Sequence, residues 1–229
     1  MDIRFADNLS AQRDNKKRLS DILRYIEDFI FAKEYTNFSH ITVFYIVKIF
    51  TDRINTFLNE DTINGKRNNN KYDPLGDFYN YNLRYVEPEK DFDISLARDP
   101  VITNIWNTDS LTKAFCTISE DNNSFVHQGL NHEFRIFLPM GVTEVYNGNH
   151  SVNSASLKGD GILHVYKKPR KGFIQAEICD MSHLYDEYYY DGTYFRSKYD
   201  KHFKMKGTFE SGCIFEIGRC IHEKGISFI

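Results

Sequence analysis

Five consecutive residues, Asn147-Gly148-Asn149-His150-Ser151, gather polar side chains around a glycine in the middle of the stretch FLPMGVTEVYNGNHSVNSASLKGDG, residues 137–161. The apolar alternation before them predicts a strand ending at Tyr146, and Val152-Asn153-Ser154-Ala155 can continue as a helix. A strand that turns at a glycine into a helix start presents unpaired backbone N–H groups and the positive end of the helix dipole, which suits a phosphate or another anion. Gly148 permits a positive φ or close backbone approach. Asn147, Gly148, Asn149, His150 and Ser151 therefore form the candidate phosphate-binding set, with His150 as candidate catalytic acid or base because a free imidazole titrates near neutrality. The same residues also read as a plain Asn-Gly turn in which Asn149 or Ser151 caps the following helix.

Other stretches carry chemistry of a different kind. Glu216 lies between Phe215 and Ile217, where apolar neighbours would favour the neutral, proton-donating carboxyl, and it is the second candidate catalytic residue. An ion pair with Arg219, three residues on, is the alternative for it. His127 and His132 flank Gly129 and Asn131 and could join His150 in an acid/base or metal cluster, but no carboxylate stands at ligand spacing and no metal site is assigned. Arg196, Lys198, Lys201 and Lys204 alternate with Tyr194, Phe195, Tyr199 and Phe203, a pattern that suits a nucleic-acid backbone and its bases. A solvated charged turn explains the same pattern. The acidic and aromatic run from Tyr185 to Gly192 reads as an edge strand ending in an Asp-Gly turn.

Composition narrows the class of protein. With 41% hydrophobic residues the chain of 229 can bury a sizeable core, and no apolar run is long enough to span a membrane. A net charge of −3 excludes a global basic field, so nucleic acid would have to meet a local patch. Cys116, Cys179, Cys213 and Cys220 form no CxxC pair and the start MDIRFADNLS does not read as a secretory signal, which together predict reduced thiols in a cytoplasmic protein.

The elements that must position these groups follow from periodicity. Leu19, Ile22, Leu23, Ile26, Phe29 and Ile30 mark one helix, and Ile41 through Leu58 a second that begins after Ser39, with Tyr35, Thr36 and Asn37 between them. Residues 14–60 are thus expected to form a helical hairpin, and the large apolar residues of its second helix suggest a homodimer or another partner surface. The run from Glu60 to Asp93 has no period; it reads as a connector whose aromatic residues find packing, with a mobile tip at Arg67–Asn70. A short helix over Leu111–Ile118, capped by Asp109 or Ser110, should precede strands at Phe134–Leu138 and Val142–Tyr146. Ile162–Tyr166 and Ile174–Ile178 should pair across the basic turn Lys167–Gly172. This is an α+β pattern.

The strand, the NGNHS turn and the helix carrying Ala155 resemble the GxxRxxA and DG(x)HR signatures of the ParB/sulfiredoxin-like superfamily, whose members hold nucleotide phosphates at this helix start. Asp99-Pro100-Val101, Trp106, Leu138-Pro139-Met140-Gly141, the NGNHS turn and Phe215-Glu216-Ile217-Gly218-Arg219 further resemble an uncharacterised bacterial family of unknown function, over residues 95–221. The resemblance implies a ParB/sulfiredoxin-like mixed-sheet core over 99–229, preceded by the helical hairpin of 1–60 and the connector of 61–98. It implies a nucleotide ligand, ATP or CTP, with a divalent cation, and phosphotransferase, phosphohydrolase or nuclease chemistry as the reaction class. Ser151 stands where the superfamily has a phosphate-holding arginine, Asn149 where sulfiredoxins have their cysteine, and Asn147 where related kinases have an acid. Repair of peroxiredoxins is thereby excluded. The competing expectation is a non-catalytic protein or nucleic-acid interaction module in which the NGNHS turn is structural.

Overall fold

The computed structural model describes residues 3–30, 36–65, 75–81, 83–118 and 123–228. The N-terminal part is helical: α1 (Ile3–Tyr25) runs into a π-turn at Ile26–Ile30, and α2 spans Thr36–Ile63. On α2 the residues Val43, Val47, Phe50, Ile54 and Leu58 are buried at three- and four-residue steps, so one face supplies core. Both helices are longer than the hairpin expected over 14–60. The second starts at Thr36 rather than after Ser39, so Thr36 and Asn37 are helix and not connection. Tyr35 lies outside the described residues.

The rest builds three small sheets. The strands are β1 (Phe92–Ser95), β2 (Val101–Thr103), β3 (Glu133–Leu138), β4 (Val142–Asn147), β5 (Ile162–Val165), β6 (Glu177–Asp180), β7 (Tyr188–Tyr190), β8 (Tyr194–Ser197) and β9 (Lys204–Lys206). Three helices intervene: α3 (Thr108–Thr117), α4 (Asn149–Leu157) and α5 (Phe209–Glu223). The central sheet has the order β2-β4-β3-β6, with β3 antiparallel to β4 and the outer strands parallel to their neighbours. β1 pairs with β5 in an antiparallel ribbon, and β7-β8-β9 form an antiparallel meander. The protein is thus a mixed α+β structure.

Both faces of the central sheet are covered, and the alternation along its strands sorts the residues. Val101, Phe134, Ile136, Val145 and Ile178 pack with Val152 and Ala155 of α4 and with Ile94, Leu163 and Val165 of the ribbon. Ile102, Phe137, Val142 and Cys179 point the other way, into a cluster with α2, α5 and the meander. That cluster draws on the N-terminal helices, on the connector and on the C-terminal part alike. Phe78 and Tyr79, in a 3-10 turn of the connector, are its centre: Phe78 stacks on Phe195 at 3.9 Å and meets Phe215 edge-on at 5.1 Å, while Tyr79 Oη donates to the Ser211 carbonyl at 2.7 Å. Gly212 is required here, because a Cβ on it would lie 2.2 Å from the Tyr190 ring.

Two expectations fail for physical reasons. The strands at 162–166 and 174–178 do not pair with each other: β5 joins β1, and β6, which begins only at Glu177, runs parallel to β3. The basic turn between them is therefore a crossover rather than a hairpin. The helix over 111–118 begins earlier, at Thr108, because Asn107 rather than Asp109 or Ser110 is its cap and accepts the Ser110 N–H at 2.7 Å. The expected mobile tip at Arg67–Asn70 lies outside the described residues. Among the described residues no helix is long and apolar enough to cross a membrane.

Candidate functional site

The NGNHS turn forms as the spacing predicts. β4 ends at Asn147, Gly148 turns with φ 78° and α4 begins at Asn149. Only glycine fits this turn, because a Cβ at 148 would come within 2.3 Å of His132 Cδ2 as well as in a left-handed backbone. Gly148 offers no side chain to the helix start. The first helical bond is Val152 N–H to the Gly148 carbonyl at 3.1 Å, so the N–H groups of 149, 150 and 151 find no acceptor among the described residues. Residues 146–151 line a cleft of about 410 Å³ whose opposite wall is Trp106 together with Ser110, Lys113, Ala114 and Thr117 of α3. Lys113 is exposed and has no carboxylate within ion-pair distance among the described residues.

The side chains of the turn are mostly engaged behind it. Asn147 Nδ2 donates to Glu133 Oε1 at 3.1 Å, and its Oδ1 accepts the Gly148 N–H at 2.9 Å. Asn149 is buried, and its Oδ1 accepts the Asn104 N–H at 2.6 Å, which ties α4 to the end of β2. Ser151 Oγ donates to the Gly148 carbonyl at 2.8 Å and lies 2.9 Å from His132 Nε2. His132 Nδ1 accepts the Gln128 N–H at 3.1 Å, so the ring proton is on Nε2 and points at Ser151. Three of the four side chains expected to touch a phosphate thus hold the backbone in place instead.

His150 faces the cleft half-buried, its ring edge-on to Trp106 at 5.3 Å. Burial pushes its imidazole below the ordinary 6.5, against an opposing pull from the Asn107 backbone, and Nε2 is buried without a hydrogen-bond partner among the described residues. The shift favours its neutral form. Burial, with the Glu177 charge adding, raises the Tyr146 phenol to about 12, so it too is a neutral donor.

His127 and His132 do meet, stacked at 5.7 Å with Phe125 on the far side of His132 at 5.0 Å. Burial first, and then neighbouring imidazoles, push both down to about 4. His150 is not part of that stack, which supports the turn from behind. Among the described residues no group of three His, Cys, Asp or Glu side chains could hold a metal ion.

A family model described as a family of unknown function, DUF6710, matches residues 5–228. The chain belongs to DUF6710. The match takes in both N-terminal helices, which the resemblance over 95–221 left outside. No curated protein and no solved structure gives a significant match.

The other candidate residues of this DUF6710 chain lie away from the cleft. Glu216 does not line it: Oε1 accepts the Tyr190 N–H at 2.7 Å and Oε2 is 2.9 Å from Arg219 Nε, while the Arg219 guanidinium also bonds the carbonyls of Tyr185 and Tyr188. The pair fastens α5 to β7. Of the basic set, Arg196 is bonded to the Asp191 carboxylate, Lys198 Nζ donates to the Tyr185 carbonyl at 2.9 Å and Lys204 Nζ lies 5.8 Å over the Tyr194 ring. Burial raises the Asp191 carboxyl, but Arg196 and the amides of Tyr194 and Thr193 outweigh it and hold the group below its ordinary range. Lys201 is exposed in the turn between β8 and β9. Lys113 and Ser110 went unread as site residues, since their helix declares only its apolar positions and its packing against α4 is tertiary.

Proposed function

We propose that the cleft at the start of α4 binds a phosphate-bearing ligand, with a nucleotide such as ATP or CTP as the preferred class. One observation carries this reading: three consecutive helix-start N–H groups, without acceptors among the described residues, line a cleft that also holds the exposed Lys113, which has no carboxylate within ion-pair distance among those residues. Trp106 and Tyr146, both partly exposed on the cleft wall, offer stacking surface for a base. The backbone, not the Asn147, Asn149 and Ser151 side chains, would hold the phosphate. A ParB/sulfiredoxin-like ancestry for the strand, glycine turn and helix is part of the proposal, and the departure at Ser151 has a local reason: its hydroxyl is committed to Gly148 and His132. If the site turns over a phosphoester, His150 is its acid or base, because Glu216 is ion-paired elsewhere. A divalent cation would then ride on the ligand phosphates. Buried thiols at Cys179, Cys213 and Cys220, raised by burial and hence unreactive, fit a reducing cytoplasm.

The test is a thermal-shift and calorimetric screen of ATP, CTP and inorganic phosphate, each with and without Mg²⁺. Saturable binding with a raised Tm is expected for at least one nucleotide. Absence of binding by all three overturns the reading. A second reading, a non-catalytic interaction module, is favoured by the structural use of the turn side chains and by exposed Tyr45, Ile49 and Phe57 on α2, within the expected homodimer surface. Sedimentation at high micromolar concentration decides that part. Nucleic acid at Lys201 and Lys204 remains a proposal on charge alone, read by a salt-dependent retardation assay.

A further inference from the structure

A separate cavity of about 670 Å³ opens between α2, β1 and the turn that follows β1. Its apolar lining is aromatic, from Phe44, Phe92 and Phe228, and the Phe44 and Phe228 rings meet edge-on at 5.0 Å. Its charged lining does not balance. Asp99 Oδ2 accepts the Ser95 N–H at 2.6 Å, Asp93 Oδ1 is 2.7 Å from His164 Nδ1, and Lys48 is paired with Asp52 at 3.0 Å. Lys90 and Arg98 have no carboxylate within ion-pair distance among the described residues, and the Arg98 guanidinium reaches only Ser95 Oγ, at 3.4 Å. Two cations with no carboxylate within ion-pair distance among the described residues, one of them near enough to the hydrogen-bonded Asp99 to feel its charge, therefore stand beside three aromatic rings.

We propose that this cavity is a binding site for a small anionic amphiphile, with a carboxylate or phosphomonoester head at Lys90 and Arg98 and an apolar body against Phe44, Phe92 and Phe228. The unpaired cations select the sign of the head, since an anion gains charge-assisted hydrogen bonds there that a neutral or cationic head does not. The rings select against a bare inorganic anion, because an apolar body is what removes their area from water. The volume falls in the range of small-molecule sites, roughly 300–1,000 Å³, and so favours a free molecule over a polymer. The site is independent of the cleft at α4, with which it shares no lining residue.

The experiment uses the full chain with decanoate, decyl phosphate, decanol and decylammonium, each below its micelle concentration, followed by calorimetry. Decanoate or decyl phosphate should bind saturably, and decanol and decylammonium should bind about tenfold more weakly or not at all. Binding of only one anion assigns the head chemistry within the proposal. In the double variant Lys90→Glu/Arg98→Glu the anion should lose about tenfold or more in affinity. Ala97→Trp, which fills the cavity from an exposed position, should remove binding while the melting temperature stays near that of the wild type. Failure of both anions to saturate, equal binding of decylammonium, or unchanged affinity in both variants overturns the proposal.

Discussion

Two helices with glycines in or beside them, α4 and α5, begin in opposite ways. At α5 the Thr208 side chain accepts the Ser211 N–H at 3.1 Å, and Glu210 in the first turn pairs with Arg53 at 3.0 Å. At α4 the cap is a glycine, no acid stands in the first turn, and the leading N–H groups line a cleft. Along α5 the polar groups satisfy each other, down to the Glu216–Arg219 pair and its backbone partners. Around α4 the side chains satisfy the turn from behind and leave the backbone donors in front. The Thr208 side chain takes up one leading N–H of α5, whereas among the described residues no side chain takes up any of the first three at α4.

The largest effect should come from breaking the closed end. In Arg219→Met the buried Glu216 keeps a charge and loses its counter-ion, which should destabilise the fold by about 3–5 kcal/mol in urea unfolding. A loss below about 1 kcal/mol would mean that Glu216 is not held as the structure has it. Gly148→Val comes next. It combines a β-branched residue at φ 78° with a contact on the His132 ring, and about 3 kcal/mol should be lost.

The histidines behind the turn predict a pH dependence with a definite sign. His127 and His132 are pushed from 6.5 down to about 4 in the folded chain, mainly by burial. The unfolded chain therefore takes up protons there first. Stability from these groups is complete above pH 6.5 and is lost as pH falls toward 4, by about 1.5 kcal/mol per histidine between pH 6.5 and 5. Urea midpoints at pH 7 and pH 5 check it, and His132→Phe should flatten the slope. A midpoint that rises on acidification would contradict the buried, neutral stack. A smaller effect is expected at the other helix: Thr208→Ala should cost about 1 kcal/mol and leave nucleotide binding unchanged.

How far the sequence spoke depends on whether the governing interactions were local. The β4 strand, the Gly148 turn and α4 were legible because alternation, Asn-Gly and a helix start are neighbours in the chain. The salt bridge of Glu216 with Arg219 was legible as one of two alternatives because it spans three residues. The pairing of β5 and β6 was misread because their real partners, β1 and β3, are remote, and β1 is hidden in a connector without period. The engagement of Asn149 with Asn104, and of Ser151 with His132, was equally invisible. Those contacts engage the Asn149 and Ser151 side chains and leave the backbone N–H groups of the turn without acceptors among the described residues. No local pattern encodes them.

The smallest expected change in stability is also the one that separates the two helix starts most cleanly. Lys113 is exposed on the cleft wall of α3 and has no carboxylate within ion-pair distance among the described residues, so Lys113→Glu should shift unfolding by no more than about 0.5 kcal/mol. If the cleft binds phosphate as proposed, the effect on a ligand should be larger in proportion, because the added negative charge would face the phosphate beside the open amides. About fivefold weaker nucleotide binding is expected at low ionic strength, shrinking as salt screens the exposed charge. Unchanged affinity at low salt, in a chain that still binds, would place the phosphate away from α4. A fall in stability comparable to that of Gly148→Val would instead make Lys113 a structural residue, and the cleft would lose the cation that distinguishes it from an ordinary turn.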